Sequence, residues 1–333
     1  MKQTAGATML LSRSDVAALL PMSACIAAVE EVFVAHSEQL TIAPGVLGAH
    51  VANGGFHVKT AGARMSRGYF AAKVNANFPQ NPVRRGLPTI QGGLLLFDAD
   101  DGSVLAIMDS AEITKLRTAA ATAVAARYLA RPTSSVATIC GCGVQGAVHI
   151  EALRSVLPID TVHAVDVVTT TADRFARDMT ARFGIDVRTA RSLREATQQS
   201  DVVITCTSSR SPFLSLSDLR PGTFVGAIGA DAEHKQELMP EVLAASKLVV
   251  DILDQCAQIG ELHHALDARV MDRGQVHGEL ANLVSGRIRG RIDATEITVF
   301  DSTGTALEDV AAAAVAYERA LERGGARFMD LAS

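Results

Sequence analysis

Ser135-Val136-Ala137-Thr138-Ile139-Cys140-Gly141-Cys142-Gly143-Val144-Gln145-Gly146 is an apolar run that breaks into the spacing G-x-G-x-x-G and resumes with helical periodicity. Strand, glycine turn and helix in that order are the mark of a βαβ unit that grips a dinucleotide. Gly141 permits the tight turn, Gly143 lets the backbone approach a pyrophosphate, and Gly146 lets the helix pack close to the strand. Val144 and Gln145 open the helix, whose free N–H groups face the phosphates. The next apolar run, Val162-His163-Ala164-Val165, ends in Asp166. This acid lies 25 residues beyond Gly141, close to the roughly 20 at which a carboxylate accepts from the adenine ribose hydroxyls. A carboxylate there repels a 2′-phosphate, and Val167 and Val168 supply no cation to offset it. The expected cofactor is therefore NAD (NADH), with NADP disfavoured.

Outward from this loop, apolar segments at Val136–Ile139, Val162–Asp166, Val202–Thr205, Val225–Ile228, Leu248–Asp251 and Ile297–Phe300 alternate with helical stretches. Alternation of this kind predicts a parallel sheet covered on both faces. The first third reads differently. Ser12 or Ser14 caps a short helix, Ser23 precedes a second, and strand-like runs at Phe56–Lys59, Tyr69–Asn75 and Leu94–Phe97 follow Pro44. Asp101-Gly102 signals a hairpin into Val104–Ile107. Leu116–Arg127 reads as an Ala-rich helix closed by Pro132, and Ala306–Leu321 as another with Glu308, Asp309, Glu318 and Arg319 on its polar positions. The expected fold is α/β: a Rossmann-type doubly wound parallel sheet plus an antiparallel α+β domain.

The 333 residues, 48% hydrophobic and 20% charged with a mean hydropathy of +0.20, suit about two globular domains and exclude a disordered chain. With 31 basic against 36 acidic residues there is no polycation for nucleic acid or anionic lipid. No apolar run reaches the roughly 18 residues of a membrane span, and no signal-peptide pattern opens the chain, so a cytoplasmic protein without membrane or nucleic-acid partners is expected. Five cysteines without C-x-x-C spacing argue against disulfides or structural zinc, and His149, His263 and His264 lack partners at ligand spacing, so no metal is expected.

Three cations stand among small or apolar neighbours: Lys59, Lys73 and Arg117. Strand alternation puts Lys73 on one face with Ala71 and Asn75. A buried cation needs a partner, so these residues either meet internal carboxylates or await an anionic substrate; otherwise they lie on the surface. Asp231 and Asp301 each follow a strand, at the sheet's carboxyl edge where ligands bind in doubly wound folds. Their plainer reading is helix capping, for Asp231 of a helix beginning near Ala232.

Lys73-Val74-Asn75 with Phe78-Pro79, Asn81-Pro82 and Gly86-Leu87-Pro88-Thr89, then Leu116-Arg117-Thr118, then the glycine loop, resembles the ornithine cyclodeaminase/mu-crystallin family. Gly229-Ala230-Asp231 with Lys235–Leu238, and Phe300–Gly304 with Glu308-Asp309, agree in order and spacing. The resemblance implies that Lys73 and Arg117 bind a substrate carboxylate and that Asp231 handles the substrate nitrogen or its proton. It also implies that Thr118, the glycine loop and Ser302 line the cofactor. It further implies a substrate-binding and homodimerising domain of residues 1–126 plus 305–333 around an NAD-binding domain of 127–304.

Cyclodeaminases of that family carry an arginine after a proline, and a glutamate further on, in the segment corresponding to Thr41–Phe56. Here that stretch contains no Arg, Asp or Glu. Lys59 stands in for the missing charge, which resembles the reductase and dehydrogenase branches. The expectation is an NADH-dependent reductase of a small or cyclic α-imino acid such as pyrroline-2-carboxylate, or the reverse dehydrogenation, with Lys73 and Asp231 catalytic and Lys59, Lys73 and Arg117 binding substrate. The alternatives are an ornithine cyclodeaminase using NAD catalytically and a non-enzymatic mu-crystallin-like binding protein.

Overall fold

The computed structural model describes residues 7–331. The chain begins with β1 (Ala7–Leu11), α1 (Arg13–Leu19), α2 (Met22–Ser37), β2 (Thr41–Val51), β3 (Gly54–Arg64), β4 (Gly68–Asn77), α3 (Asn81–Arg85), β5 (Ile90–Asp98), β6 (Val104–Asp109) and α4 (Ser110–Leu129). It continues as β7 (Val136–Cys140), α5 (Val144–Arg154), β8 (Thr161–Val165), α6 (Thr169–Phe183), β9 (Asp186–Thr189), α7 (Leu193–Gln199), β10 (Val202–Thr205), β11 (Arg210–Leu214), β12 (Phe224–Ala227) and β13 (Gln236–Leu238). Next come α8 (Pro240–Ala244), β14 (Lys247–Val250), α9 (Leu253–Ile259), α10 (Glu261–Asp267), β15 (Gly278–Glu279), α11 (Leu280–Val284) and β16 (Thr298–Asp301). Helix α12 (Ala306–Arg323) and β17 (Arg327–Asp330) follow. Two units result: the chain up to Arg117 together with that from Thr305 onward, and Thr118–Gly304. The first boundary falls inside α4. The ends of the expected first domain, 1–6 and 332–333, lie outside the described residues.

The first unit is built on a seven-stranded sheet in the order β17-β1-β6-β5-β4-β3-β2. Strands β2 to β6 form an antiparallel meander, β1 runs parallel to β6, and β17 closes antiparallel on β1. The hairpin at Asp101-Gly102 is present, with Gly102 at φ +77°. Strand β2 is not among the strands read from the sequence, where the first run after Pro44 begins at Phe56. It is an edge strand whose register shifts between Ile42 and Gly45, where a proline without an N–H is tolerated. The short strands β1 and β9 also escaped the periodicity. Helix α2 starts at Met22 behind Pro21, so Ser23 is not its cap, whereas Ser12 does cap α1 in a capping box with Asp15.

Alternation along β4 turns Tyr69, Ala71 and Lys73 inward, against α12, which packs on β3 and β4 and against α2. The alanines at 311–314 keep α12 close to the sheet, and all four are buried. Glu308 and Asp309, expected on the polar side of this helix, are instead buried at 0% and 1% exposure. Internal cations hold them there.

The second unit carries an eight-stranded parallel sheet in the order β15-β14-β16-β12-β10-β7-β8-β9. From β7 the chain winds outward one way through β8 and β9, then returns to the other side through β10 and β12. The reversal lies between β7 and β10, the point at which ligands bind in open α/β sheets. The Cys206 N–H donates to the Cys140 carbonyl there at 2.9 Å.

Leu94 pairs in register with Lys73 and is fully buried in the first unit. Leu94→Ala is expected to destabilise that unit by about 2–5 kcal/mol, read as a lowered urea midpoint with an unchanged denaturant slope.

Candidate functional site

In the first unit, Lys59 on β3 lies directly opposite Lys73 on β4, so both side chains leave the same face of the sheet. Lys73 Nζ meets Asp309 Oδ2 at 2.6 Å and donates to Thr114 Oγ1 at 3.2 Å. Arg117, the eighth residue of α4, donates through Nε to Asp309 Oδ1 at 3.1 Å and through Nη1 to Glu308 Oε2 at 2.7 Å. Lys73 and Arg117 are 2% and 4% exposed. The three sequence-singled cations thus converge, and two of them are met by internal carboxylates.

The location explains the pairing. Glu308 is the N3 residue of α12, and its Oε1 accepts from the Thr305 N–H in a capping box while Oε2 takes Arg117. Both acids sit in the first helical turn, where the helix dipole favours negative charge. Burial drives the Lys73 ammonium down to about 7, with Arg117 and Lys59 pushing the same way and Asp309 opposing them. Burial works against ionisation of Asp309 too, but Lys73 and Arg117 outweigh it and hold its carboxyl below the ordinary range. Removing either cation leaves two buried carboxylates against one cation, a loss of about 3–5 kcal/mol. The set as built is a desolvated cluster of cations able to take an external carboxylate beside the internal one. The sequence signal for Glu308 and Asp309 was present but misread: two adjacent acids at the start of a helix otherwise built of alanine and valine.

In the second unit the glycine loop has the geometry its spacing implies. Gly141 sits at φ +106°, and a Cβ there would lie 2.8 Å from the Cys206 carbonyl oxygen. A Cβ on Gly146 would lie 2.4 Å from the Gly141 carbonyl oxygen and 2.9 Å from Ile139, so this glycine is the close helix–strand contact. Gly143 is the N-cap of α5, no side chain caps the helix, and a Cβ there meets nothing within 4 Å. An uncapped helix start with open space over its glycine fits a pyrophosphate. Val144 at the opening of α5 is exposed, while Gln145 is half-buried and its backbone carbonyl accepts from His149 Nδ1–H at 2.8 Å.

Asp166 follows β8 directly. Its Oδ2 accepts from the Cys142 N–H at 3.0 Å and its Oδ1 from the Val168 N–H at 2.9 Å, so it fixes the loop from one side and the turn into α6 from the other. Val167 beside it is fully exposed, an apolar platform next to the carboxylate.

Asp231 lies four residues beyond β12, and its partner is Lys235 at 2.5 Å. No helix begins at Ala232; the segment is a turn leading into β13. The loop before it is held from behind by Glu237, a residue the sequence reading left without a role. Glu237 accepts from the Thr207 N–H and Oγ1, both at 2.6 Å, and from the Gly229 N–H at 2.9 Å. Gly229 has to be glycine, since a Cβ would fall 2.4 Å from that carboxyl carbon. Glu261 in turn accepts from the Glu237 and Leu238 N–H groups, and Asp301 from those of Glu261 and Leu262. Burial pushes all three carboxyls up, Asp301 to about 7. Ser302, buried, donates to Asp251 Oδ2 at 3.2 Å, and Thr118 is buried in α4.

Residues 6–324 match the ornithine cyclodeaminase/mu-crystallin family, nearly the whole chain. The chain belongs to that family. A family relative, the alanine dehydrogenase of Archaeoglobus fulgidus, is 37% identical over 316 residues, covering 95% of this chain and 96% of its own. The structure of Thermococcus litoralis Δ1-pyrroline-2-carboxylate reductase in complex with NADH and L-proline superposes with a TM-score of 0.92 at 35% identity, over 96% of this chain and 99% of that one. An archaeal alanine dehydrogenase dimer with bound NAD gives 0.93 at 36% identity, over 98% and 99%.

The two glycines separate fold from ligand. Gly141→Ala is expected to cost about 1–3 kcal/mol through strain at positive φ, seen as a lowered Tm. Gly143→Ala, at φ −97° with open space, is expected to leave Tm within about 2 °C.

Proposed function

We propose that this family member is an NADH-dependent reductase of a small or cyclic α-imino acid, pyrroline-2-carboxylate being representative, or the dehydrogenase for the reverse direction. The observation that carries this reading is the cation set, buried Lys73 and Arg117 with half-buried Lys59 opposite Lys73 on the neighbouring strand, with no acid anywhere from Thr41 to Phe56 to hold a second amine. Such a set suits one carboxylate on a substrate whose side chain is uncharged. The relatives act on alanine and on pyrroline-2-carboxylate, by their names, and both match at full length.

The cofactor site is the glycine loop. The N–H groups opening α5 at Val144, Gln145 and Gly146 would hold the pyrophosphate, Gly141 shapes the turn, Gly143 leaves open space over the helix start, and Asp166 would accept from the adenosine ribose. Thr118 and Ser302 line the remainder. Bound NADH supplies the hydride. The protein's part is to fix and charge-balance the substrate: Lys59, Lys73 and Arg117 hold the carboxylate and fix the orientation of Cα, and Asp231, which meets Lys235 at 2.5 Å, holds or delivers the proton at the substrate nitrogen. Neither role calls for a metal.

We further assign substrate binding and homodimer formation to the first unit and nucleotide binding to the second. The outer face of the first sheet supports the dimer: Leu47, Phe56, Val74 and Leu95, all exposed, form an apolar surface opposite the face that carries Lys73. A cytoplasmic setting agrees with five cysteines that are all free thiols. Among the described residues, no single helix is long and apolar enough to cross a membrane.

The purified protein, given NADH and a panel of cyclic imines and of α-keto acids with ammonia or methylamine, is expected to oxidise NADH stoichiometrically, with a higher kcat/KM than for NADPH. Preference for NADPH would remove the role given to Asp166. With ornithine and trace NAD, little proline or ammonia is expected; many turnovers without added reductant would replace this reading with cyclodeamination. Gly143→Ala is expected to weaken NADH binding at least tenfold, or about 1.4 kcal/mol, read by fluorescence titration.

A further inference from the structure

We propose that Asp309 is a positioning residue: its carboxylate bridges Lys73 and Arg117 and holds the two cations in the arrangement that receives the substrate carboxylate. The inference rests on the assignment of that cation set to substrate.

Asp309 reaches both cations, Oδ2 to Lys73 Nζ at 2.6 Å and Oδ1 to Arg117 Nε at 3.1 Å. Those cations come from β4 and α4, and the bridge between them comes from α12. A single carboxylate with one oxygen on each cation fixes their mutual distance. It also opposes the repulsion that would otherwise separate Lys73 from Arg117 and from Lys59 across the strand pair. Its own place is secured twice over, by the capping box of Thr305 and Glu308 and by burial at 1% exposure. Glu308 grips the far side of Arg117, so the guanidinium has two of its donors committed and a fixed orientation.

The groups facing Lys73 are Lys59 from β3, Thr114 and Arg117 from α4, and Asp309 from α12. Glu308 lies beyond Arg117, and the Cys25 thiol on α2 is raised by burial and by Glu308. Of these, Asp309 is the group that opposes loss of the Lys73 proton; burial, Arg117 and Lys59 all favour it. A carboxylate substrate needs the ammonium form. Asp309 therefore acts on substrate affinity through the charge and place of Lys73, without touching the reacting atoms.

Asp309→Asn keeps the shape and removes the charge. In protein labelled with ¹³Cε-lysine, the six lysines give few signals, and the Lys73 signal is identified by its loss in Lys73→Arg. Its titration is expected to move down by about one pH unit or more in Asp309→Asn. In steady state, KM for the imine is expected to rise about tenfold or more, with KM for NADH unchanged within about twofold. The fall of 1/KM with rising pH is expected to begin at lower pH than in the wild type. An unmoved Lys73 titration, or a lower kcat with both KM values and the pH profile unchanged, overturns the proposal. If Asp309→Asn does not fold, Asp309→Glu is read in the same assays: a raised imine KM with the Lys73 titration in place supports positioning, and an unchanged KM overturns it. The lysine titration requires no turnover. If the wild type reduces no imine, the functional reading fails while the titration still decides whether Asp309 governs Lys73.

Discussion

Four buried charges, Lys73 and Arg117 against Glu308 and Asp309, are the constraint on which the first unit is built. None tolerates burial alone, because an unpaired ion in a low dielectric costs several kcal/mol. Together they are neutral. That neutrality obliges β4, α4 and α12, far apart in the chain, to meet at one point, and it sets the cations on the inner face of the sheet. The alanines of α12 follow from the same requirement, since a helix that brings short acidic side chains to a strand has to lie close to it.

The second unit solves a different problem with the same chemistry. Parallel strands end in loops whose N–H groups lack partners in the ladder, and buried carboxylates supply them. Asp166 serves the glycine loop, Glu237 the loops at Thr207 and Gly229, Glu261 the start of β13, and Asp301 the start of α10. Asp251 serves Gly304 and the hydroxyls of Ser302 and Thr303. No cation accompanies Glu237, Glu261 or Asp301 in these bonds; backbone and hydroxyl donors bear the charge, which is why burial raises these carboxyls while the ion-paired Asp309 is lowered. Helix α5 begins at Gly143 without a side-chain cap. A ligand phosphate is a natural partner for the N–H groups of such a helix start.

Much of this was legible in the sequence. Gly141 and Gly146 were readable because each does a backbone task that only glycine does without cost, and with Gly143 they fall at a fixed spacing. The parallel strands were readable because strands buried on both faces are continuous apolar runs. Lys73 stood out by its alanine neighbours. Strand β2 was hidden because an edge strand with one half-exposed face carries neither full alternation nor a continuous apolar run, and Pro44 and Gly45 imitate a turn. Glu237 was hidden because one acid in a three-residue strand has no periodic signature.

By itself the sequence determined the dinucleotide loop, the doubly wound sheet and the three cations that lie outside the usual surface pattern, since these depend on local backbone demands and on residues close in the chain. Only the tertiary structure decided what the cations meet. Glu308 and Asp309 are nearly 200 residues from Arg117 and more than 230 from Lys73, and on a helix drawn alone they belong to the solvent face. Whether an acid is solvated or buried against a cation depends on which surface the helix covers, and that is fixed by packing between elements, which local periodicity does not encode.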